Sequence, residues 1–408
     1  MRANVADIAM PTKTVLISGI GISGPTLAFW LSAAGFTPTL IERAPALRSG
    51  GYVIDFWGLG YDIAERMGLL AEINRVGYHM RELRMVDARG RRVAGFGTAV
   101  FEELTGGRYV TLGRSDLSRL LFDKITNGCE TQFGDEIVAL QDRDDGVEVQ
   151  LQRGGNRRFD LLIGADGLHS SVRRLAFGPQ HRFEKKLGYT VAAFEVRGYR
   201  PRDEEVYAVY GEPGRQLGRF AMHDDRTLFL FVFAGDVGAP VEGLGLDAQK
   251  AILRERFGDG GWESQRILDE LDRVDEVYFD RVSQIVMDRW SRGRVALLGD
   301  AAFCISLLGG QGSALAMTSA YVLAGELAAS AGRHDTAFHR YEELLRPYIA
   351  AKQASAERFA GFFAPKTQFG LLLRKYAIRA FRFQGLAKAM IGKDIVDKLK
   401  LPPYRFAK

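Results

Sequence analysis

The chain has 408 residues, of which 47% are hydrophobic and 26% charged, with a net charge of +5. This length and composition indicate two or three packed units, and they exclude a collagen-like, low-complexity or disordered chain. Its two cysteines, Cys129 and Cys304, lack metal-ligand spacing, which excludes a disulfide framework, gives no reason to expect a metal site and favours a reducing cytoplasm.

The first predicted elements are a strand, a glycine-rich turn and a helix. Residues 14–18 (TVLIS) are typical of a buried parallel strand, and residues 19–24 read GIGISG directly before the predicted helix. In such a turn Gly19 permits the tight bend, Gly21 lets the backbone approach a pyrophosphate, and Gly24 lets helix and strand pack closely. The pattern therefore predicts a dinucleotide site.

A second strand is predicted over 37–41, and Glu42 stands at its end. A carboxylate there can accept hydrogen bonds from both hydroxyls of an adenosine ribose and would repel a 2′-phosphate, so the site favours FAD or NAD over NADP. This motif alone does not separate FAD from NAD. The residues expected to contact the dinucleotide are Gly19, Gly21, Ile22, Ser23, Gly24, Glu42 and Arg43.

Two further strands end in acidic turns. Residues 160–173 (DLLIGADGLHSSVR) run from an apolar strand into Asp166 and then into a predicted helix. Residues 294–302 (RVALLGDAA) run from another apolar strand into Asp300, and the glycine-rich loop 309–312 follows before a long apolar helix. Both patterns predict strand ends that meet a ligand at one edge of a sheet.

These three ordered motifs resemble those of the flavoprotein aromatic hydroxylases, the single-component monooxygenases of the para-hydroxybenzoate hydroxylase type. The resemblance implies an α/β fold: a Rossmann-like FAD-binding domain, an interleaved antiparallel β-sheet substrate domain and C-terminal helices. It also implies that NADPH or NADH reduces FAD, and that O2 then hydroxylates an aromatic or polyketide-like small molecule through a flavin C4a-hydroperoxide. Residues 48–55 and 320–327 resemble the branch that includes the tetracycline-inactivating enzymes.

The resemblance also assigns individual residues. Asp166 is expected to serve the FAD pyrophosphate and the nicotinamide cofactor, Asp300 a ribityl hydroxyl, and Arg114 a place beside FAD. The N–H groups at the start of the helix after loop 309–312 are expected to stabilise negative charge on reduced flavin. Further cofactor-binding candidates are Gly299, Gly310, Gln311 and Gly312.

The chain departs from the family pattern just after the third motif. Phe303 stands where many relatives have His, and residues 305–308 are mostly apolar in a loop that often contains Pro. These departures leave FAD binding as predicted but bear on the substrate and on the contacts made to the flavin.

The domain organisation follows from where the Rossmann pattern stops. We predict an FAD-binding domain over 1–75, 103–178 and 282–340, a substrate-binding β-sheet domain over 76–102 and 179–281, and a C-terminal helical region over 341–408. Strands are predicted over 190–195, 206–210, 219–223 and 227–233. The alternating aromatics of these strands predict core packing: Phe220, Phe229, Phe231 and Phe233.

The predicted strands leave the catalytic base unassigned. His223 and Arg219 are the candidates for binding a phenolate or for acting as a base, although a structural role fits both. In this chemistry the cofactor performs the difficult step and the protein supplies position and electrostatics.

The C-terminal part is basic. Residues 366–408 contain eleven Lys and Arg residues but two Asp, a net charge of +9. A solvated helix face explains this charge, and a weak peripheral contact with acidic lipid is the alternative. No nucleic-acid module accompanies the charge, and the apolar stretch 313–330 contains Glu326, which argues against integral membrane association.

Two other functions stay open at this point. One is an FAD-dependent reductase on the same fold, and the other is a non-catalytic FAD-containing protein that binds a small molecule. A flavin halogenase is disfavoured because its WxWxIP signature does not occur.

Overall fold

The computed structural model describes residues 13–48, 50–235, 237, 243–381 and 397–406. The strands within these residues are β1 (Thr14–Ser18), β2 (Thr37–Glu42), β3 (Val53–Trp57), β4 (Glu82–Val86), β5 (Arg92–Gly97), β6 (Tyr109–Gly113), β7 (Glu130–Phe133), β8 (Ile137–Arg143), β9 (Gly146–Leu151), β10 (Gly155–Phe159), β11 (Leu161–Gly164), β12 (Glu184–Arg197), β13 (Val206–Glu212), β14 (Arg215–Ala221), β15 (Arg226–Ala234), β16 (Tyr278–Ile285), β17 (Ser291–Arg292) and β18 (Val295–Leu297). The helices are α1 (Ser23–Ala33), α2 (Gly58–Arg66), α3 (Leu70–Val76), α4 (Ala99–Thr105), α5 (Arg114–Asp123), α6 (Ser171–Ala176), α7 (Leu246–Phe257), α8 (Ser264–Asp269), α9 (Asp300–Phe303), α10 (Gly312–Ala329), α11 (His334–Phe363) and α12 (Gln368–Ala380).

Six of the described strands form one sheet in the order β17-β18-β11-β1-β2-β7. The strands from β18 to β7 run parallel, and β17 pairs antiparallel with β18. Strands β1, β11 and β18 are buried apolar runs, as expected when helices cover both faces of a parallel sheet. Helix α10 packs against α1 and is buried on nearly all sides.

The three motif strands lie side by side in this sheet. Because β18, β11 and β1 are parallel neighbours, their carboxyl ends meet at one edge. The glycine-rich turn after β1, the turn at Asp166 after β11 and the turn at Asp300 after β18 are therefore brought together from distant parts of the sequence, as their patterns predict.

Seven of the described strands form a second sheet in the order β16-β12-β15-β14-β13-β4-β5. The predicted antiparallel arrangement is observed at every pair except β13 and β4, which run parallel. One face of this sheet packs Phe194, Phe229 and Phe231 against α7 and α8. The four aromatic residues predicted to be core, including Phe220 and Phe233, are at most 2% exposed, which confirms that prediction.

The remaining elements pack around the two sheets. Strands β3 and β6 form an antiparallel ribbon, β8 to β10 form a meander, and α11 and α12 pack beside the seven-stranded sheet. The long C-terminal helix α11 begins at His334 and runs past Pro347 to Phe363. Thr367 caps α12 by accepting a hydrogen bond from the N–H of Gly370. Within the described ranges, none of the helices combines the length and the apolar composition needed to cross a bilayer.

Candidate active site

A cavity of about 800 Å³ lies between the motif edge of the six-stranded sheet and one face of the seven-stranded sheet. It reaches from the glycine-rich turns to the C-terminal helices α11 and α12. Most of the residues expected to contact the dinucleotide line it: Gly19, Gly21, Ile22, Ser23, Glu42, Arg43, Arg114, Asp166, Asp300, Gly310, Gln311 and Gly312. The remaining two, Gly24 and Gly299, lie behind this lining, where a Cβ atom would collide with Gly19 and Ser23 respectively.

The glycines of the first turn provide a tight bend at Gly19 and open backbone at Gly21, and a pyrophosphate site requires both. Gly19 has a φ of +108°, and a Cβ atom there would collide with the carbonyl group of Ala165 on the neighbouring strand end. At Gly21 the nearest atom to an added Cβ is Nη2 of Arg114, 3.8 Å away. The backbone at Gly21 is therefore bare toward the cavity, which fits a phosphate group approaching closely.

Glu42 is held at the cavity wall by backbone groups. Its Oε2 accepts a hydrogen bond from the N–H of Ile20 at 3.0 Å, and its Oε1 accepts one from the N–H of Ala44 at 3.0 Å. Each carboxylate oxygen keeps a second acceptor position. The side chain is thus oriented and still able to bind the two hydroxyls of a ribose.

Asp166 lines the cavity, but its carboxylate is already engaged. Asp166 accepts hydrogen bonds from the hydroxyls of Ser170 and Ser171 and from the N–H of Val172 at the start of α6. It therefore fixes the turn after β11, and its predicted contact with the cofactor stays a prediction.

Arg173 connects the second and third motifs, a role that the sequence did not suggest. Its guanidinium is fully buried and donates to the carbonyl oxygen of Ala301 at 2.8 Å, to that of Leu168 and to Oε1 of Gln180 at 3.0 Å. Burial lowers the pKa of Arg173. Because Ala301 follows Asp300, this side chain fixes the position of one acidic turn against the other.

Asp300 and Arg114 both line the cavity, and each acts electrostatically on the other. Burial raises the pKa of Asp300, although Arg114 acts against it. Burial acts to lower the pKa of Arg114, but the charges of Tyr52 and Asp300 outweigh this effect, so the pKa of Arg114 is raised. Within the described part of the chain, the guanidinium of Arg114 donates no hydrogen bond to a protein acceptor, so its donors are available to a polar cofactor.

The start of α10 faces the same space. Gly312 and Ser313 line the cavity, and the preceding Gln311 does not cap the helix with its side chain. The first N–H groups of a helix have no partner within the helix, and they carry its positive dipole end. Among the described residues, none comes closer than about 3.8 Å to an atom added at Gly310 or Gly312. Bare glycines, free N–H groups and Arg114 together fit an FAD.

The far end of the cavity is apolar, and the C-terminal helices contribute much of it. Its apolar lining includes Met80, Leu83, Met85, Val209, Leu230, Phe359, Phe362, Phe363, Ile378 and Phe381. The sequence pattern does not indicate this contribution of α11 and α12. The aromatic run at 359–363 was the signal, but nothing local indicates which wall it joins.

A small polar cluster interrupts this apolar wall. Tyr109 donates a hydrogen bond to Oδ1 of Asp55 at 2.7 Å, and Thr111 donates to the same atom at 2.6 Å. Burial and then the charge of Asp55 hold the pKa of Tyr109 well above its usual value. The cluster joins β3 to β6 and offers hydrogen-bonding groups to a ligand in the cavity.

Arg219, proposed from the sequence as a phenolate-binding residue or base, faces away from the cavity. Leu217 and Arg219 share one face of β14, whereas the cavity-lining Gln216 is on the other, because successive residues of a strand alternate. Arg219 is 4% exposed, and its guanidinium pairs with Glu263 at 2.6 Å and with Asp203. These ion pairs fit a structural role.

His223, the second candidate base, also lies outside the cavity lining. It follows the end of β14, and its ring stacks on Tyr78 with centroids 4.1 Å apart. Its Nε2 is 3.2 Å from the carbonyl oxygen of Gly77, and its backbone N–H donates to the hydroxyl of Tyr78 at 2.6 Å. His223 is exposed, and these contacts anchor it on Tyr78 outside the cavity.

Phe303, which departs from the family pattern, is buried at 2% exposure and packs on Trp290 with ring centroids 4.6 Å apart. It does not line the cavity. The apolar residues that follow, Ile305, Leu307 and Leu308, do line it. The departure therefore changes the core behind the third motif and the loop in front of it.

Comparisons with known proteins agree with this geometry. A family model described as FAD binding domain matches residues 12–356. A flavin-dependent monooxygenase from an unknown prokaryotic organism is 36% identical over 351 residues, 84% of this chain and 88% of the relative. An FAD-dependent monooxygenase of Sarocladium schorii is 31% identical over 97% of this chain and 99% of its own. The crystal structure of the tetracycline destructase Tet(55) is 31% identical and superposes with a TM-score of 0.80, covering 97% of this chain and 100% of that one.

Proposed function

Because this chain belongs to the FAD-binding domain family and is an FAD-dependent monooxygenase, we propose that it hydroxylates an aromatic or polyketide-like molecule held at the apolar end of its cavity. The observation that carries this proposal is the continuity of the cavity: the same space joins the bare glycine turns to an apolar wall. The likeness to a tetracycline destructase supports a fused-ring substrate.

The residues at the cofactor end have separate tasks in this proposal. Gly19 and Gly21 admit the pyrophosphate, Glu42 binds the adenosine ribose, and Asp300 binds the ribityl chain. When bound and reduced by NADPH or NADH, FAD would supply the electrons that activate O2 for the reaction. The N–H groups at the start of α10 stabilise negative charge that develops beside them.

The residues at the substrate end position the acceptor and exclude water. The apolar side chains of the sheet, such as Met85, Val209 and Leu230, suit one face of an aromatic ring system. Helices α11 and α12 line this end of the cavity, where they would keep bulk water from diverting the activated oxygen into hydrogen peroxide. We also propose a cytoplasmic location, which the two free thiols support.

The proposal is tested by following labelled oxygen. The FAD-loaded protein would be incubated with NADPH, tetracycline or a hydroxynaphthoic acid, and O2 enriched in the heavy isotope, and the products would be analysed by mass spectrometry. We expect a product that gains one labelled oxygen atom. A reduced product without label would indicate a reductase instead, and tight binding without any product would indicate a carrier; either contradicts the proposal.

A further inference from the structure

Arg374 of α12 brings a buried positive charge to the apolar end of the cavity. It lines the cavity, yet the whole residue is 3% exposed. Burial lowers the pKa of Arg374 to about 10, so the guanidinium remains charged at neutral pH. Among the described residues, no carboxylate forms an ion pair with it. An unpaired buried charge is unfavourable in a folded protein, so this one points to a ligand that pairs with it.

The hydrogen bonds of Arg374 leave part of the guanidinium unused. Nη1 donates to Oε1 of Gln216 at 2.6 Å and to the carbonyl oxygen of Phe363. Nε and Nη2 have no hydrogen-bond partner within the described part of the chain. One nitrogen therefore fixes the side chain between β14 and the end of α11, while the donors of the other two are buried and unsatisfied.

The sheet beneath is shaped to admit this side chain. A Cβ atom on Gly211 would lie 2.5 Å from Nη2 of Arg374, so only glycine leaves room for the guanidinium against β13. Gly211 is paired in register with Gln216 on β14. Gly211 on one strand thus leaves space for the guanidinium, and the side-chain amide of Gln216 on the next strand accepts a hydrogen bond from it.

A second unsatisfied group lies on the same face. Tyr207 lines the cavity, and its hydroxyl is buried without a hydrogen-bond partner among the described residues. Its ring covers Gly218, which lies two residues after Gln216 and on the same face of β14. Two guanidinium nitrogens and a phenol hydroxyl, all hydrogen-bond donors, are thus unpaired in one region of a largely apolar wall.

We propose that Arg374 binds an ionised acidic oxygen of the substrate, that is, an enolate, phenolate or carboxylate, and so selects anionic aromatic molecules. This inference rests on the proposed function, because it names the substrate class of the same cavity. Charge-assisted hydrogen bonds in a site shielded from water are stronger than neutral ones, and an anion would neutralise the buried guanidinium.

Binding of a matched acid and ester tests this proposal without requiring turnover. The probes are 3-hydroxy-2-naphthoate and its methyl ester, titrated into the FAD-loaded protein by calorimetry and by the change in flavin fluorescence. We expect the wild-type protein to bind the acid at least about ten-fold more tightly than the ester. Equal affinity for the two, or binding of neither, would overturn the proposal.

Variants then assign the preference to Arg374. Arg374→Met should weaken binding of the acid by about ten-fold or more and leave the ester within about two-fold, whereas Arg374→Lys should keep part of the preference. Arg379→Met, on the same helix but exposed, is the matched control and should change neither. Equal losses for acid and ester in Arg374→Met would overturn the assignment.

Gly211→Ala gives a second route if Arg374→Met does not fold. It keeps the charge but displaces the guanidinium, so the preference for the acid should fall while FAD remains bound; an unchanged preference would contradict the proposal. Because the titrations measure binding alone, a protein that prefers the acid but inserts no oxygen would refute the proposed function and leave the assignment of Arg374 intact.

Discussion

At Gly21 the missing side chain is what the proposed cofactor site requires. Among the described residues, the one atom near the space that a side chain would enter is Nη2 of Arg114, at 3.8 Å. The substitution Gly21→Val should therefore leave the fold intact and fill the space meant for a pyrophosphate. We expect loss of FAD binding by at least about 100-fold, because a backbone approach of this kind has no substitute.

Gly128→Val is the matched control for this prediction. Gly128 is exposed, and a Cβ atom there would also meet nothing within 4 Å, but it does not line the cavity. Flavin absorbance after gel filtration measures both variants. A yellow Gly21→Val protein with the wild-type flavin content would remove the first turn from the cofactor site.

Asp300 should make the stability of the FAD-free protein depend on pH. Burial raises its pKa in the folded chain, so the folded state binds this proton more readily than the unfolded state does. The ionised form then destabilises the folded state at neutral pH, and this penalty disappears as the pH falls through the folded-state pKa. Asp300→Asn should thus raise the Tm at pH 7, with a gain that shrinks toward acid pH.

The same variant should bind FAD several-fold more weakly, because an amide is a poorer acceptor for a hydroxyl than a carboxylate. Thermal unfolding of the FAD-free protein across the pH range, with flavin titration at pH 7, measures both effects. A Tm for Asp300→Asn that stays below the wild-type value at every pH would show that the ionised carboxylate stabilises the fold.

At the scale of elements, β15 separates core from cavity by alternation. Leu230 lines the cavity, whereas its neighbour Phe229 is fully buried against α7 and α8. Phe229→Ala should lower the free energy of unfolding by about 3–5 kcal/mol, as expected for a large cavity in a core. Leu230→Phe should instead leave stability nearly unchanged and weaken binding of bulky substrates.

Denaturant unfolding and substrate titration distinguish these adjacent variants. The control is internal, because each substitution tests the face that the other spares. If Leu230→Phe lowered stability as much as Phe229→Ala did, without affecting ligand binding, the proposed wall of the cavity would be wrong.

Elements with strong local signals were predictable from the sequence. The strands ending before Gly19, Asp166 and Asp300 combine apolar runs with glycine or acidic turns, and each occurs as predicted. The face on which a strand residue lies was less predictable. The sequence predicts a strand over 219–223 that begins at Arg219, but β14 spans Arg215–Ala221. The ion pairs of Arg219 with Glu263 and Asp203 are what show that its side chain faces the helices.

At the scale of the whole molecule, the cavity is assembled from segments far apart in the chain. Its cofactor end uses the turns after β1, β11 and β18, which a family resemblance can locate. Its substrate end joins β4, β13, β14 and β15 to α11 and α12. Arg374 looks in the sequence like one of many basic residues of a solvated tail, and only the packing of α12 shows that it is buried.

The basic character of residues 366–408 is therefore not wholly a surface property. Arg374 is buried at the cavity, while Arg379 on the same helix is exposed. Part of the basic segment, residues 382–396, lies outside the described residues, so the predicted peripheral lipid contact stays a prediction.

A crystal structure of the protein with FAD and 3-hydroxy-2-naphthoate tests most directly whether one cavity holds both molecules. We expect the pyrophosphate against Gly19 and Gly21, the flavin beside Asp300 and the start of α10, and the naphthoate between the flavin and Arg374. FAD bound away from the three strand ends, or a naphthoate outside this cavity, would contradict that arrangement.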